Sequence, residues 1–354
     1  MIRRKKAIVK EILSTNEDIT EVLVDVDHEL QKALNYVALT GPVNTNDNVV
    51  LNTTAVHLRL GTGGHHFIIA NFNNQTSEFS NNSGHIIKLR YTPLQLKCMT
   101  VEEPDSPFHK ILKEAKDIRG MKVLICELHS ALIPLVKYLQ SLDNSLNISY
   151  IMTDSAGLPI AYSKSVRSLK EQKLIKCSIT CGHAFGGDYE TVNIYTALLT
   201  AKEISKCDIS VVTPGPGVVG TGTPYGFSGI EQGNIIDSVN NMGGIPIFVP
   251  RISFSDHRNR HHGISHHSVT VLEKIANTQA FIPIPLLEEE KMKIINNQIK
   301  ASQIPNKHKI VYTHERTLDI LREQDNISTM GRGFQDDLDY FRTIGAAAEF
   351  TISH

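Results

Sequence analysis

After Gly120 the chain keeps returning to one pattern, a short apolar run, a polar turn and then an amphipathic stretch. The runs are Met121-Lys-Val-Leu-Ile-Cys126, Ile148-Ser-Tyr-Ile-Met152, Leu174 to Thr180, Asp208 to Thr213 and Ile245 to Pro250. Ala280-Phe-Ile-Pro-Ile284 and Lys309-Ile-Val-Tyr312 are two further candidates. Near-continuous apolar strands alternating with helices predict a parallel sheet covered on both faces, because each crossover lays a helix on one side. The expected fold is therefore α/β, with a doubly wound, Rossmann-like sheet. Val192, Tyr195, Leu198 and Leu199 recur at helical spacing, Glu288 to Lys300 reads as a solvated helix, and a helix with an apolar tail is expected beyond Gly331-Arg332-Gly333.

The N-terminal part is different. Ala7-Ile-Val9, Glu21-Val-Leu-Val-Asp-Val26, Asn48-Val-Val-Leu51 and Phe67-Ile-Ile-Ala70 are short runs broken by Asn, Asp, Thr and Gly, which predicts a small β-barrel or sandwich. Gly61-Thr-Gly-Gly64 ahead of His65 and His66 reads as a tight turn. Asn73 to Ser83 reads as an exposed loop and His85 to Leu96 as an extended crossover. Pro93, Pro104 and Pro107 delay the next helix until about Phe108. The predicted domains are residues 1–105, β-rich, and 106–354, α/β.

A chain of 354 residues is long enough for two such cores. A net charge of -1 removes bulk attraction to nucleic acid, and the barrel segment holds no sustained basic run, so a nucleic-acid partner is not expected. The basic opening Arg3-Arg4-Lys5-Lys6 does not read as a signal peptide, since Lys10 and Glu11 interrupt the apolar run behind it. No apolar stretch reaches the roughly 18 residues of a membrane span, and a cytoplasmic protein with no membrane partner is expected. Cys98, Cys126, Cys177, Cys181 and Cys207 are scattered without a C-x-x-C pair and are expected as buried thiols. Homo-oligomerisation is compatible with this size, and nothing fixes its symmetry.

In an open parallel sheet, ligands bind outside the carboxyl ends of the strands, where loops converge and helix N-termini offer free N–H groups. Each of the first five strands here ends in chemically capable residues: Glu127 and His129, Asp154 and Ser155, His183 and Asp188, Thr221 and Thr223, then Asp256 to His267. Each also has an ordinary alternative: Asp188 and Ser265 as helix caps, Asp154 as a turn residue, His129 and His183 as satisfied side chains. Their shared edge is what points to a site. In the fourth loop, Gly217, Gly220, Thr221 and Thr223 form the expected anion cradle, although the loop matches neither the P-loop nor the dinucleotide fingerprint.

The fifth connection, Arg251 to Ser268, carries five histidines, three arginines and one aspartate between an apolar strand and a helix. Three chemistries fit it. As a divalent-metal site, Asp256, His257, His261 and His262 offer ligands, and His257/His261 and His262/His266 share i,i+4 spacing, although Gly263 and Ser265 oppose one continuous helix. As an acid/base site, His266 and His267 would move protons together with Asp154, His183 and Asp188, while Arg251, Arg258 and Arg260 hold a negatively charged substrate. As a binding site alone, the arginines and a helix N-terminus would grip an anion unchanged. Acid/base or anion handling ranks above metal, because no recognised metal motif is present. Arg332, between its glycines, is a candidate to close over the site.

Gly61-Thr-Gly-Gly-His65, Thr153-Asp154, Gly182-His-Ala-Phe-Gly-Gly-Asp188, Gly215-Pro-Gly-Val-Val-Gly-Thr-Gly-Thr223, Arg251-Ile-Ser-Phe254 and His262-Gly-Ile-Ser-His-His267 are distinctive together. On these motifs the sequence resembles an uncharacterised bacterial family, domain of unknown function 3866, over most of its length. The resemblance implies a bacterial, cytosolic, whole-chain protein and supplies no activity. The expected function comes from the residues: an enzyme acting on a small anionic, phosphorylated or similar, metabolite by hydrolysis or group transfer. The alternative is a non-catalytic ligand sensor or scaffold using the same anion pocket, with no cofactor fixed by either.

Overall fold

Burial alternates strictly from Val22 to Val26, with Val22, Val24 and Val26 inward and Leu23 and Asp25 facing out. That period of two builds a sheet with one apolar face, and the face must close on itself or find a cover. The computed structural model describes residues 1–74, 83–316, 318–322 and 327–354, so most of the loop expected from Asn73 to Ser83 lies outside the described residues. In it the unit Met1–Met99 closes into a barrel. Strands β1 (Arg4–Thr15), β2 (Ile19–Val26), β3 (Glu29–Tyr36), β4 (Asn48–Asn52) and β5 (His66–Asn71) follow the order β1-β2-β3-β5-β4 around it. Among the described residues of the barrel, only β3 and β5 pair in parallel.

The barrel core is small and aliphatic, with Ala7, Val9, Val22, Val24, Ala33, Val49, Leu51 and Ile68 among its buried residues. Strand β3 is absent from the apolar runs of the sequence because its first half, Glu29 to Lys32, faces solvent and only Ala33 to Tyr36 is buried. His65 sits 2.9 Å from the Glu21 carboxylate and His66 2.5 Å from the Gln31 amide oxygen, so both rings have partners inside the barrel unit. The stretch from His85 to Leu96 does not run through as one extended crossover. Strands β6 (Ile86–Lys88) and β7 (Leu96–Cys98) fold back on each other as an antiparallel pair.

The unit Thr100–His354 is the α/β domain. Its sheet has eight parallel strands: β8 (Lys122–Cys126), β9 (Ile148–Thr153), β10 (Cys177–Thr180), β11 (Tyr189–Glu190), β12 (Ile209–Pro214), β13 (Ile245–Val249), β16 (Phe281–Pro285) and β17 (Lys309–Thr313). Strands β14 (Ile252–Ser253) and β15 (Gly263–Ile264) form a separate antiparallel pair in the histidine loop. The sheet order is β11-β10-β9-β12-β8-β13-β16-β17. Successive residues serve opposite faces, as the pleat requires. Val123 and Ile125 join Ile151, Val212 and Phe248 on one side, whereas Leu124 and Cys126 join Tyr150, Met152 and Ile247 on the other. The helix Gln232–Asn241 covers the first side with Ile235, Ile236 and Val239. The helices Leu132–Leu142 and Leu338–Ser353 cover the second.

All five cysteines are buried thiols. No helix of the described residues is long and apolar enough to cross a membrane.

Two loops at the carboxyl edge approach so closely that only backbone fits between them. Gly157 N–H donates to Pro216 C=O at 2.8 Å, and a Cβ on Gly215 would lie 2.1 Å from the Gly157 carbonyl oxygen. Gly215→Ala must therefore separate the turn after β9 from the loop after β12. We expect it to cost about 1–3 kcal/mol, read as a lower urea midpoint with an unchanged slope.

Candidate functional site

The first strand of the α/β domain, β8, lies between β12 and β13. On one side of it the chain continues through β9 and β10, and on the other through β13, β16 and β17. A reversal of this kind leaves a crevice at the carboxyl ends of the central strands. Glu127 follows β8, the glycine loop Gly215 to Gly226 follows β12, and Arg251 lies two residues past β13.

Arg251 ties off the histidine loop. Its N–H donates to Ser268 Oγ and its carbonyl accepts from Ser265 N–H, each at 2.9 Å. Between these ties β14 and β15 pair, turning the chain back on itself. Gly263, at φ +75°, makes the return, and a Cβ there would strike the Gln298 amide at 2.4 Å. Gln298, on the helix Glu289–Lys300, accepts from Ile264 N–H at 2.9 Å and donates to the carbonyls of His262 and Ile264 at 3.0 and 3.3 Å. The helix His266–Thr270 then starts with Ser265 as its N-cap, accepting from His267 N–H.

This reversal decides which histidines meet. His261, His266 and His267 converge, with one ring nitrogen from each lying within 4.8 Å of the others. Centroids of the His266 and His267 rings are 4.2 Å apart, and that of His261 lies 5.0 and 5.1 Å from them. Phe227 stacks on His267 at 3.9 Å and 8°, and His261 Nδ1 meets Ser265 Oγ at 2.8 Å. The i,i+4 pairs suggested by spacing do not form a continuous helical face, because Gly263 and the extended Ser265 break it. His257 and His262 are exposed and outside the cluster, with His262 edge-on to Phe254.

Asp256, the fourth metal candidate, serves arginine instead. It accepts from Arg251 Nη2 at 2.7 Å and from Arg258 Nε and Nη2 at 2.9 and 2.8 Å, with Arg332 Nη2 3.7 Å away. Arg258 beside it holds its carboxyl far below the usual carboxylate range. Arg332 is bound to buried Asp337 at 2.8 Å, which gives it a place in this network. Arg251 and Arg258 are therefore committed to Asp256. Arg260 is exposed and leans toward the glycine loop, its guanidinium 3.9 Å from the position of a Cβ on Gly222.

Burial, with Arg251 and Arg258, pushes His261 down to about 3. Burial, His266 and Arg251 take His267 down to about 4, and burial and Arg260 lower His266. All three rings are neutral at pH 7, which weakens His266 and His267 as proton carriers near neutrality. Glu127 is the contrasting group. Burial pushes its carboxyl up to about 7, against a hydrogen bond from Ser268 and the pull of Arg251, and its Oε1 is buried without a hydrogen-bond partner among the described residues. The sequence marks Glu127 only by its place directly after the first strand.

The other expected residues divide. A Cβ on Gly220 would lie 3.3 Å from His267 Cε1, so the glycine loop and the histidine cluster do meet. Gly217 is at φ +96° with open space beside it. Thr221 and Thr223 bond each other at 2.9 Å, and Thr221 Oγ1 donates to Gly226 C=O while Thr223 Oγ1 accepts Gly226 N–H. Those hydroxyls close the loop. Asp154 accepts His183 N–H at 2.8 Å beside Glu231, whose carboxylate takes bonds from Thr153 and Ser155 and which burial pushes upward.

Asp188 is not at this edge. The loop after β10 returns to begin β11 parallel to it, so Asp188 lies beside Ser178, accepting its N–H and hydroxyl and pairing with Lys170. His129, in the turn after β8, is a buried ring bonded to Ser163 at 2.6 Å and in contact with Tyr150 and Pro214.

A family model described as Protein of unknown function (DUF3866) matches residues 32–348, which takes in the glycine loop, the histidine cluster and Glu127. The chain belongs to the DUF3866 family. No curated protein matches it. The DUF3866 match begins inside β3 and ends inside the helix Leu338–Ser353, so it covers the whole parallel sheet.

Asp256→Asn leaves Arg251, itself buried, facing a neutral amide. We expect a loss of at least about 3 kcal/mol at pH 7. Because the folded state depresses the Asp256 pKa, its contribution is complete above the ordinary carboxylate range and is lost as pH falls through the folded value. Urea denaturation curves of the two proteins should be far apart at pH 7 and draw together in acid.

Proposed function

We propose that this protein is a cytoplasmic enzyme that binds a small anionic metabolite, phosphorylated or similar, and transforms it by hydrolysis or group transfer. The observation that carries the reading is the meeting of the glycine loop with the histidine loop, Gly220 over His267 and Gly222 beside Arg260. Open backbone next to an exposed guanidinium suits an oxyanion, which gains charge-assisted hydrogen bonds and close backbone approach. Three guanidinium groups, of Arg251, Arg258 and Arg332, share Asp256 and Asp337, and Arg260 adds another positive charge. The surplus favours negative ligands.

Glu127 is the acid/base group in this reading. A carboxyl poised near 7 exchanges protons at neutral pH far better than rings held near 3 or 4. Ser268 orients it, accepting a hydrogen bond from the Arg251 N–H and donating one from its hydroxyl to the carboxylate. The glycine loop and Arg260 hold the substrate, and His183 and Asp154 line the neighbouring strand end.

Inorganic phosphate and pyrophosphate should raise the melting temperature, and Arg260→Ala should weaken that rise by about tenfold in ligand concentration. With a substrate found among phosphate esters, Glu127→Gln should lower turnover by about a hundredfold or more and keep the ligand-induced shift. Binding without turnover in the wild type would make the protein a sensor. The absence of any anion-induced shift would remove the reading altogether.

A further inference from the structure

We propose that His261, His266 and His267 hold one divalent transition-metal ion through three imidazole nitrogens, leaving a coordination position open on the Gly220 side. The proposal goes beyond the anion-handling function. The ion stands without that function, and only the nature of its fourth ligand depends on it.

Four features support it. One nitrogen of each ring lies within 4.8 Å of the others. In a tetrahedral site with metal–nitrogen bonds of about 2.0–2.1 Å, ligand nitrogens sit about 3.4 Å apart. The rings therefore close by at most the difference, within reach of small side-chain rotations.

His266 Nε2 is buried and has no hydrogen-bond partner among the described residues. A buried polar nitrogen left unpaired costs stability unless something completes it, and an ion between three imidazoles would do so.

The other ring contacts are of the kind that orients ligands. Ser265 Oγ sits 2.8 Å from His261 Nδ1, and if it takes the proton there, the lone pair of that ring is placed on Nε2. Phe227 stacked on His267 fixes the plane of the third ring.

The fourth feature is space. The Cε1 and Nε2 atoms of His267 are 3.3 and 3.6 Å from where a Cβ on Gly220 would stand, so glycine leaves that edge open. Three histidines with one open position form the donor set of ions that bind and polarise a further ligand, and imidazole donors suit zinc, cobalt, nickel, copper or iron. The neighbouring arginines oppose a bare cation and favour one whose fourth ligand is an anion or hydroxide. Asp256 and Asp337 already offset two of the charges of Arg251, Arg258 and Arg332.

The test uses the full chain purified without a histidine tag, stripped with chelator, dialysed and titrated with Zn2+ by calorimetry and with Co2+ by visible absorption. One equivalent of each should bind, with the strong absorption of four-coordinate Co2+. His266→Ala and His267→Ala should each weaken binding at least about tenfold, and the paired variant His257→Ala, His262→Ala should bind as the wild type does. Circular dichroism of each variant separates lost ligation from lost fold. If the folded wild type takes up neither ion, or if the His257/His262 variant loses binding while the His266 and His267 variants keep it, the proposal is overturned. Phosphate-induced melting shifts measured on the same metal-free protein show separately whether the anion reading stands.

Discussion

The path of the histidine loop depends on how Arg251 is held. Its backbone fastens both ends of one loop, through Ser265 and Ser268, while its buried guanidinium is fastened by Asp256. A buried arginine is tolerable only with such a partner, because an isolated charge away from water is very costly. The pairing therefore fixes the path of the loop. That path brings His261 back onto His266 and His267, and it leaves Arg260 outside, over the glycines. Burial, and after it the positive charge of these arginines, lowers the pKa values of all three rings.

The parallel sheet supplies the frame. With β8 at its centre and later strands on both sides, Glu127, the glycine loop and the histidine loop come from three adjacent strands. None of them is close to the others in sequence. Gly157 and Gly215 draw the turn after β9 into the same edge by backbone contact alone. Side-chain chemistry is thus concentrated where strands β8, β12 and β13 end, and the barrel unit is a separate closed core.

Much of this was legible because apolar periodicity and strand burial are the same fact seen twice. The runs at Met121, Ile148, Asp208 and Ile245 became central strands with nearly every residue buried. Strand β3 was not legible, since half of it is solvated, and β11 is only two residues long, Tyr189 and Glu190. Missing β11 is what misplaced Asp188, for an added parallel strand carries the chain back toward the start of β10. The density of histidines located the site, but linear spacing could not choose among them. The choice came from a two-residue strand pair and from Gln298, a residue more than thirty positions away in the sequence (34 from Ile264).

The helix Leu338–Ser353 has Ala346, Ala347 and Ala348 fully buried, packs with Phe341, Ile344 and Phe350 in the second core, and accepts a bond from Lys122 at Thr351. It lies C-terminal to all eight strands of the sheet it covers. During synthesis the part of that apolar face not covered by Leu132–Leu142 stays bare after the last strand has left the ribosome, until the helix also emerges. The nascent domain must pass through a state with sticky surface exposed, so its yield in the cell should depend on chaperones and on the pace of translation over its final segment.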